Sequence, residues 1–176
     1  MRPVRYNVAA TLDGYIAGPG GEYDWIPEDP AVDFAAIFAR VDTVLLGRVS
    51  YELTRRAGAP WAPGTRVYVF SRTLRAADHP GVTVVADHAA GAVAALRAEA
   101  GDGEVWLFGG GALFASLLAA GQVDRVEVTV VPVLLGGGVP LFPGGGGARA
   151  ALALRDTHTY PSGMVTLRYD VPGARR

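Results

Sequence analysis

The stretch that decides the fold reads Glu104-Val-Trp-Leu-Phe-Gly-Gly-Gly-Ala-Leu-Phe-Ala-Ser-Leu-Leu-Ala-Ala-Gly121. It opens with a short apolar and aromatic run of strand length, and three glycines follow. Apolar side chains then recur at helical spacing, at Leu113, Phe114, Leu117 and Leu118. Gly121 stands where a helix C-cap is expected. The stretch therefore predicts a strand, a glycine turn and a helix.

The glycine turn, Gly109-Gly110-Gly111, is a candidate phosphate site. Glycines let a ligand approach the backbone, and the unpaired N–H groups of a first helical turn suit an anion. The alternative is that these glycines only allow the strand and helix to pack closely. The run is neither a dinucleotide fingerprint, which needs a glycine where Phe114 stands, nor a Walker A loop.

Composition limits the classes of function. The chain has 176 residues, which fits one domain over residues 1–176, and half of its residues are apolar. A net charge of −1 gives no electrostatic reason to bind nucleic acid or an anionic membrane. The absence of cysteine excludes disulfides and fits a cytoplasmic protein. We expect no metal, because the three histidines lack ligand spacing, and no membrane span.

Strands and helices alternate along the first two thirds of the chain. The predicted strands in this part cover residues 4–10, 43–46, 66–70, 82–85 and 105–108. Residues 125–131 then alternate at period two, residues 132–135 continue that strand, and residues 151–157 and 164–171 close the sheet. The glycines at 144–147 predict a flexible loop, and residues 172–176 a frayed tail. This order indicates a mixed sheet with helices on both faces and an antiparallel end.

Two further turns at strand ends carry arginine. Gly47-Arg48 follows one predicted strand and Ser71-Arg72 follows the next. Ligands of open α/β sheets lie beyond the carboxyl ends of the strands, and arginine binds phosphate in a bidentate way. The alternatives are an ion pair of Arg48 with Glu52 at i+4, and an exposed polar loop at Ser71-Arg72.

Three acidic residues are candidates for chemistry. Asp29 resembles an N-cap, with Pro30 at the first helical position. Asp33 lies at the margin of the apolar stripe of this helix and could reach a pocket, or could simply favour the helix dipole. Asp13 precedes Gly14 in a predicted turn, and plain turn chemistry is its alternative.

Five segments, in this order, resemble the dihydrofolate reductase fold. They are similar, more closely, to the reductase domain of bifunctional riboflavin-biosynthesis deaminase/reductases and its stand-alone relatives. The segments are Thr11-Leu-Asp-Gly14, Leu46-Gly-Arg-Val-Ser-Tyr-Glu52, Phe70-Ser-Arg72, Trp106-Leu-Phe-Gly-Gly-Gly-Ala112 and Val131-Pro-Val-Leu-Leu-Gly-Gly-Gly-Val-Pro-Leu-Phe142. The resemblance implies a single-domain α/β three-layer sandwich with a mixed, mostly parallel central sheet and an antiparallel C-terminal end.

The resemblance implies NADPH as the cofactor. The turn at Gly47 and Arg48 would contact cofactor phosphate, and Ser71 and Arg72 would hold the adenosine 2′-phosphate. The pyrophosphate would lie in a cradle formed by Gly109, Gly110, Gly111, Ala112 and Leu113. The nicotinamide would be bordered by Ala9, Ala10 and Ile16.

The resemblance also implies where the substrate lies. It would sit between Trp25, the helix that carries Asp33, and Tyr51, and we take Asp13 as a further substrate-binding candidate. Asp33 is the candidate catalytic acid, and Asp29 is the second choice. A bound water is the other possible source of the proton.

The resulting expectation is an NADPH-dependent reductase of a small heteroaromatic or sugar-imine substrate from pterin, pyrimidine or flavin metabolism. The alternative is a non-catalytic nucleotide- or flavin-binding module of the same fold. The zinc deaminase domain of the riboflavin enzymes is not expected here. The resemblance further implies a homodimer, for which we expect residues 126–142 to form the interface.

Overall fold

The computed structural model describes residues 1–58, 61–143 and 149–173. Its strands are β1 (Val4–Thr11), β2 (Tyr15–Ala17), β3 (Val41–Gly47), β4 (Arg66–Phe70), β5 (Thr83–Val85), β6 (Glu104–Gly109), β7 (Arg125–Val131), β8 (Val139–Pro140), β9 (Ala153–Thr159) and β10 (Val165–Asp170). Its α-helices are α1 (Phe34–Ala39), α2 (Arg48–Arg56), α3 (Ala89–Ala98) and α4 (Gly111–Ala119), and Ala76–Asp78 forms a 3₁₀ turn. The predicted glycine loop at 144–147 and the end of the predicted tail lie outside the described residues.

Eight of the strands form one sheet in the order β5-β4-β3-β6-β1-β7-β10-β9. The pairs from β5 to β7 are all parallel, whereas β10 is antiparallel to both β7 and β9. Strands β2 and β8 pair separately as a small antiparallel sheet. The predicted mixed, mostly parallel sheet with an antiparallel C-terminal end is confirmed.

Two apolar clusters cover the two faces of this sheet. Adjacent residues of β3 divide between them, because side chains alternate along a strand: Leu45 belongs to one cluster, and Val44 and Leu46 to the other. The first cluster contains Val93 of α3 together with Phe114 and Leu117 of α4. The second contains Tyr51 of α2, with Ile37 and Phe38 of α1 packed against it. The three-layer arrangement follows from this division.

The strand, glycine turn and helix predicted for residues 104–121 are confirmed. Strand β6 ends at Gly109, and α4 begins at Gly111. Gly121 has a φ of 68°, and its N–H donates to Leu118 O at 3.0 Å. Glycine adopts this left-handed conformation without a steric penalty, which is why the helix ends there.

The predicted start of α1 is wrong. The N-cap is Asp33, whose carboxylate accepts from the Ala36 N–H at 2.8 Å, and the helix begins at Phe34. Asp29 lies in a turn instead, where its carboxylate accepts from the Ala31 N–H at 2.9 Å and the Ser162 N–H at 3.1 Å. The contact with Ser162 joins residues far apart in the sequence, so local spacing could not reveal it.

The predicted continuation of β7 through residues 132–135 is also wrong, because the strand ends at Val131. Pro132 has no N–H to donate to a neighbouring strand. The Val133 N–H turns back to Val131 O at 2.8 Å. The two closing strands occur near their predicted positions, at Ala153–Thr159 and Val165–Asp170. No helix in the described ranges is both long and apolar enough to cross a bilayer.

Candidate functional site

The three predicted turns lie at one edge of the sheet. Gly47-Arg48 follows β3, Ser71-Arg72 follows β4 and Gly109-Gly110-Gly111 follows β6. These strands are parallel neighbours in the order β4-β3-β6, so their carboxyl ends share an edge. Strand β1 is the next neighbour of β6, and its turn at Asp13 therefore lies at the same edge. The structure thus brings together the turns that the sequence singled out.

Two helices begin side by side at this edge. Gly47 is the N-cap of α2 and Gly110 the N-cap of α4, and no side chain of the described residues caps either helix. A Cβ atom on Gly47 would lie 3.6 Å from Gly110 N, so the two helix starts are in contact. First-turn N–H groups have no partner within their helix and carry a partial positive charge. Their convergence suits a bound anion.

Ser50 is a residue that the sequence interpretation missed. It lies in the first turn of α2, three residues after the N-cap Gly47. Its Oγ would be 3.4 Å from a Cβ on Gly109 and 3.5 Å from a Cβ on Gly110, two residues joined by a cis peptide bond. The hydroxyl therefore lies beside both glycines. A serine at the third helical position after a glycine N-cap was the signal available in the sequence.

Gly111 is explained by the protein's own backbone. A Cβ atom there would lie 2.7 Å from Pro140 O and 2.9 Å from Leu141 O. Close packing, the alternative stated for the glycine run, therefore accounts for this position. Of the two residues that follow in α4, Ala112 is exposed and Leu113 is half-buried against the core.

Arg48 and Arg72, both at the carboxyl edge, have different surroundings. Arg48 Nη1 is 3.0 Å from Glu52 Oε1, which is the i+4 ion pair foreseen as an alternative, and its side chain is 45% exposed. The Arg72 side chain is 85% exposed, and its Nε lies 3.6 Å from Asp87 Oδ1. An exposed guanidinium with one loose partner can turn toward a phosphate at little cost.

Ser71 uses its hydroxyl within its own turn. The Oγ accepts from the Thr73 N–H at 3.2 Å and from the Leu74 N–H at 3.1 Å. Its N–H donates to Val85 O at 3.0 Å, which joins the ends of β4 and β5. Ser71 is nearly buried, so it shapes the turn that presents Arg72.

Most residues predicted to border the nicotinamide or the substrate are buried or hydrogen-bonded to other parts of the protein. Ala10 is buried in the core, and Ile16 is half-buried against it. The Trp25 indole N–H donates to Glu22 O at 3.1 Å. Tyr51 is buried, with its hydroxyl 3.1 Å from Nδ1 of His79, a partner that the sequence did not indicate. The Asp33 carboxylate caps α1.

The Asp13 carboxylate is surrounded by donors. It accepts from the Thr11 hydroxyl at 2.5 Å and from the Gly136 N–H at 2.7 Å. The Leu135 N–H lies 3.2 Å and 3.1 Å from its two oxygens. These hydrogen bonds, that from Thr11 first, lower the pKa of Asp13. The turn chemistry given as an alternative is thus present and reaches across the chain to residue 136.

The sheet order and its carboxyl edge define an α/β protein with the dihydrofolate reductase-like fold. The chain belongs to the RibD C-terminal domain family, whose model matches residues 2–166. It is 32% identical to the uncharacterized protein YyaP of Bacillus subtilis (strain 168), over 96% of this chain and 95% of that protein. Membership of this family supports an oxidoreductase.

Solved structures share this fold, among them two from Shewanella and Thermotoga. A candidate riboflavin biosynthesis protein from Shewanella sp. PV-4 matches with a TM-score of 0.81 and 28% identity, and each chain is covered completely. The Thermotoga maritima diaminohydroxyphosphoribosylaminopyrimidine deaminase/5-amino-6-(5-phosphoribosylamino)uracil reductase matches with a TM-score of 0.70 and 20% identity. That match covers 97% of this chain and 57% of the Thermotoga chain.

Proposed function

We propose that the protein is an NADPH-dependent reductase that transfers hydride to a small heteroaromatic or sugar-imine substrate. The observation that carries this proposal is the contact between the N-termini of α2 and α4, at Gly47 and Gly110. A diphosphate placed there would meet two sets of first-turn N–H groups. Arg72 follows β4, the neighbour of β3, and is an exposed cation available for an additional phosphate.

Particular residues would hold the cofactor. Gly109 and Gly110 leave room beside the Ser50 hydroxyl, and the N–H groups of Ala112 and Leu113 belong to the first turn of α4. Arg48 would have to leave Glu52 to reach a phosphate, and such exposed i+4 pairs are worth only about 0.3–0.5 kcal/mol. Arg72 would contact the 2′-phosphate, and this contact is the basis for preferring NADPH to NADH.

The cofactor, when bound, supplies the hydride. The protein's contribution is to hold cofactor and substrate in contact and to provide a proton. Asp33 remains our candidate for the proton donor. Its carboxylate now caps α1, so protonation would weaken the start of that helix, and substrate binding would have to draw the side chain away from Ala36.

A titration with NADPH and with NADH tests the proposal. Nicotinamide and tryptophan fluorescence report binding, and loss of nicotinamide absorbance with a panel of oxidised pterins, pyrimidines and flavins reports turnover. We expect NADPH to bind at least about tenfold more tightly than NADH, because only NADPH has the 2′-phosphate that Arg72 would contact. A protein that binds neither nucleotide would contradict the proposal.

A non-catalytic binding module is the second candidate. It is favoured by the internal contacts of Asp33 and Tyr51, which leave neither side chain free without rearrangement. This candidate predicts tight NADPH or flavin binding with no nicotinamide oxidation by any member of the panel. Turnover with one substrate, lost in Asp33→Asn without loss of binding, would decide for the reductase.

We also propose a homodimer, for which residues 126–142 stay a predicted interface and strand β9 is a second candidate. Strand β7 is hydrogen-bonded to β1 on one edge and to β10 on the other, whereas β9 is an edge strand whose seven residues are all exposed. Antiparallel pairing of two copies about Thr157 would place Asp156 opposite His158 of the second copy. Light scattering should give twice the chain mass, and Leu154→Lys, which charges an exposed apolar residue of β9, should give the monomer mass. A monomeric wild type would contradict this.

A further inference from the structure

We propose that Asp13 is a positioning residue that fixes the first turn of α4 through residues 132–143, here called the strap. Asp13 and α4 are at opposite ends of this segment. The strap leaves β7 at Val131, passes the turn between β1 and β2, and reaches α4 at Gly111. The expected effect on NADPH rests on the proposed function; the expected effect on the unliganded protein does not.

The first end of the strap is held by a charge. The Asp13 carboxylate receives two consecutive N–H groups, of Leu135 and Gly136, and the Thr11 hydroxyl. Hydrogen bonds to a charged acceptor are stronger than neutral ones. Gly136 and Gly138 have φ values of 70° and 144°, which are conformations that other residues rarely adopt. A segment with such permissive residues depends on outside partners for its shape.

The middle of the strap is held by backbone contacts with the same turn. The Leu12 N–H donates to Val133 O at 3.0 Å, and the Leu141 N–H donates to Gly14 O at 2.8 Å. Strand β8 of the strap pairs with β2. A Cβ atom on Gly138 would collide with Ala17 O, so the two backbones are in contact. A shift at residues 135–136 would therefore be passed along the segment.

The far end of the strap touches the proposed phosphate site. The carbonyl oxygens of Pro140 and Leu141 lie against Gly111, the first residue of α4. The Phe142 ring packs edge-on against Phe114 of the same helix, with 5.7 Å between centroids. Carbonyl oxygens at a helix N-terminus are also favoured by its dipole. The strap thus fixes where the N–H groups of this turn point.

The test compares Asp13→Ala and Asp13→Asn with Asp29→Ala by hydrogen exchange of the unliganded proteins. Asp29 is a matched control, because its carboxylate also accepts two backbone N–H groups, but from Ala31 and Ser162. We expect Asp13→Ala to speed exchange about tenfold or more in peptides covering residues 134–142 and 111–116. Asn keeps one acceptor oxygen and should restore part of the protection. Asp29→Ala should leave both peptides unchanged.

Cofactor titrations give a second readout that plain destabilisation would not produce. Movement of the α4 turn should weaken NADPH and NADH by the same factor, about five- to tenfold in Asp13→Ala, because both share the pyrophosphate. Unchanged exchange at residues 111–116 in Asp13→Ala would overturn the inference, and loss of binding with unchanged exchange would show direct ligand contact instead. If the wild type binds neither nucleotide, the proposed function fails, while hydrogen exchange still decides the role of Asp13.

Discussion

Three arginines at the amino edge of the central sheet differ in their surroundings from two at its carboxyl edge. At the amino edge, the side chains of Arg2, Arg5 and Arg97 are 2–3% exposed, and each contacts at least one carboxylate. At the carboxyl edge, Arg48 and Arg72 are 45% and 85% exposed, each with a single carboxylate partner. The first three side chains are buried in ion pairs within the protein, whereas the other two are exposed and can exchange their partners for a ligand. These three arginines are therefore buried in ion pairs at one edge, and the other two are exposed to solvent at the opposite edge.

The burial of arginines at the amino edge is related to the direction of the helices relative to the strands. Helices of an α/β sheet run opposite to the strands, so α3 ends at the amino edge. Arg97 in its last turn donates to Asp124 at 2.7 Å and to Gly121 O at 3.3 Å. Arg5 of β1 lies between Glu104 of β6 and Glu127 of β7, at 3.1 Å and 3.2 Å. These contacts cross the sheet, so they join segments that are far apart in the sequence.

The largest effect should come from Arg5→Met, which removes the charge and keeps most of the volume. Glu104 and Glu127, each only 12% exposed, would lose their buried cation. Glu104 would keep Arg125 at 3.0 Å, and Glu127 would keep Arg168 at 3.9 Å. Because each carboxylate keeps one more exposed partner, we expect a loss at the low end for a broken buried pair, about 3 kcal/mol in the free energy of unfolding, measured by urea titration. The folded fraction should bind NADPH as the wild type does. A loss below about 1 kcal/mol would break the comparison, because the amino-edge arginines would then not be structural.

Arg72→Glu should give the next largest effect, on binding and not on stability. It places a negative charge beside the expected 2′-phosphate, so NADPH affinity should fall about 100-fold. NADH affinity should change less than about threefold, and the unfolding midpoint should not move. Arg75→Glu, which changes an equally exposed arginine after the same strand, is the matched control. Equal losses for the two nucleotides would place Arg72 away from the 2′-phosphate.

A smaller effect is expected for Arg48→Ala. Loss of the ion pair with Glu52 should cost about 0.3–0.5 kcal/mol of stability, because both partners are solvent-accessible. If the guanidinium also reaches cofactor phosphate, the affinities for NADPH and NADH should both fall about threefold to tenfold. Glu52→Ala, which breaks the pair but keeps the cation, should preserve or raise both affinities. Lower affinity in Glu52→Ala would show that cofactor binding depends on the Arg48–Glu52 ion pair and not on the Arg48 cation.

The smallest effect is expected when the pH is lowered and the hydrogen bonds between the Asp13 carboxylate and the strap are lost. The pKa of Asp13 is lowered by the Thr11 hydroxyl and by the Gly136 and Leu135 N–H groups. Its contribution is therefore present above the ordinary value, about 3.9, and is lost as pH falls through the lower folded-state value. Protection of residues 134–142 should persist at pH 4.5 and decline only below about pH 3.9. If protection of residues 134–142 already declined at pH 5 in the wild type, and did not do so in Asp13→Asn, this expectation would be wrong.

Local spacing was enough to predict the elements of the sheet but not the partners of its polar groups. The strand, glycine turn and helix of residues 104–121 follow from periodicity, and parallel pairing then brings Gly47, Ser71 and Gly110 to one edge. The reason for Gly111 lies about 30 residues away, at Pro140. Asp13 meets Gly136, and Arg5 meets Glu127, through the tertiary fold alone. The predicted start of α1 was wrong for the same reason, because the Asp29 carboxylate accepts from the Ser162 N–H, which is distant in the sequence.

The position of β1 also bears on how the chain is made. Strand β1 is synthesised before both of its neighbours, β6 and β7, and Arg5 pairs with Trp106 on one side and Arg125 on the other. At a translation rate of about 5–20 residues per second, its neighbours emerge from the ribosome several seconds later. Until then the apolar residues Val4 and Tyr6, both fully buried in the finished protein, have no partner strands. Nascent chains whose residues from 104 onward have not left the ribosome should therefore engage chaperones that bind extended apolar segments. Chains halted late enough for residues 104–131 to have left the ribosome should release them.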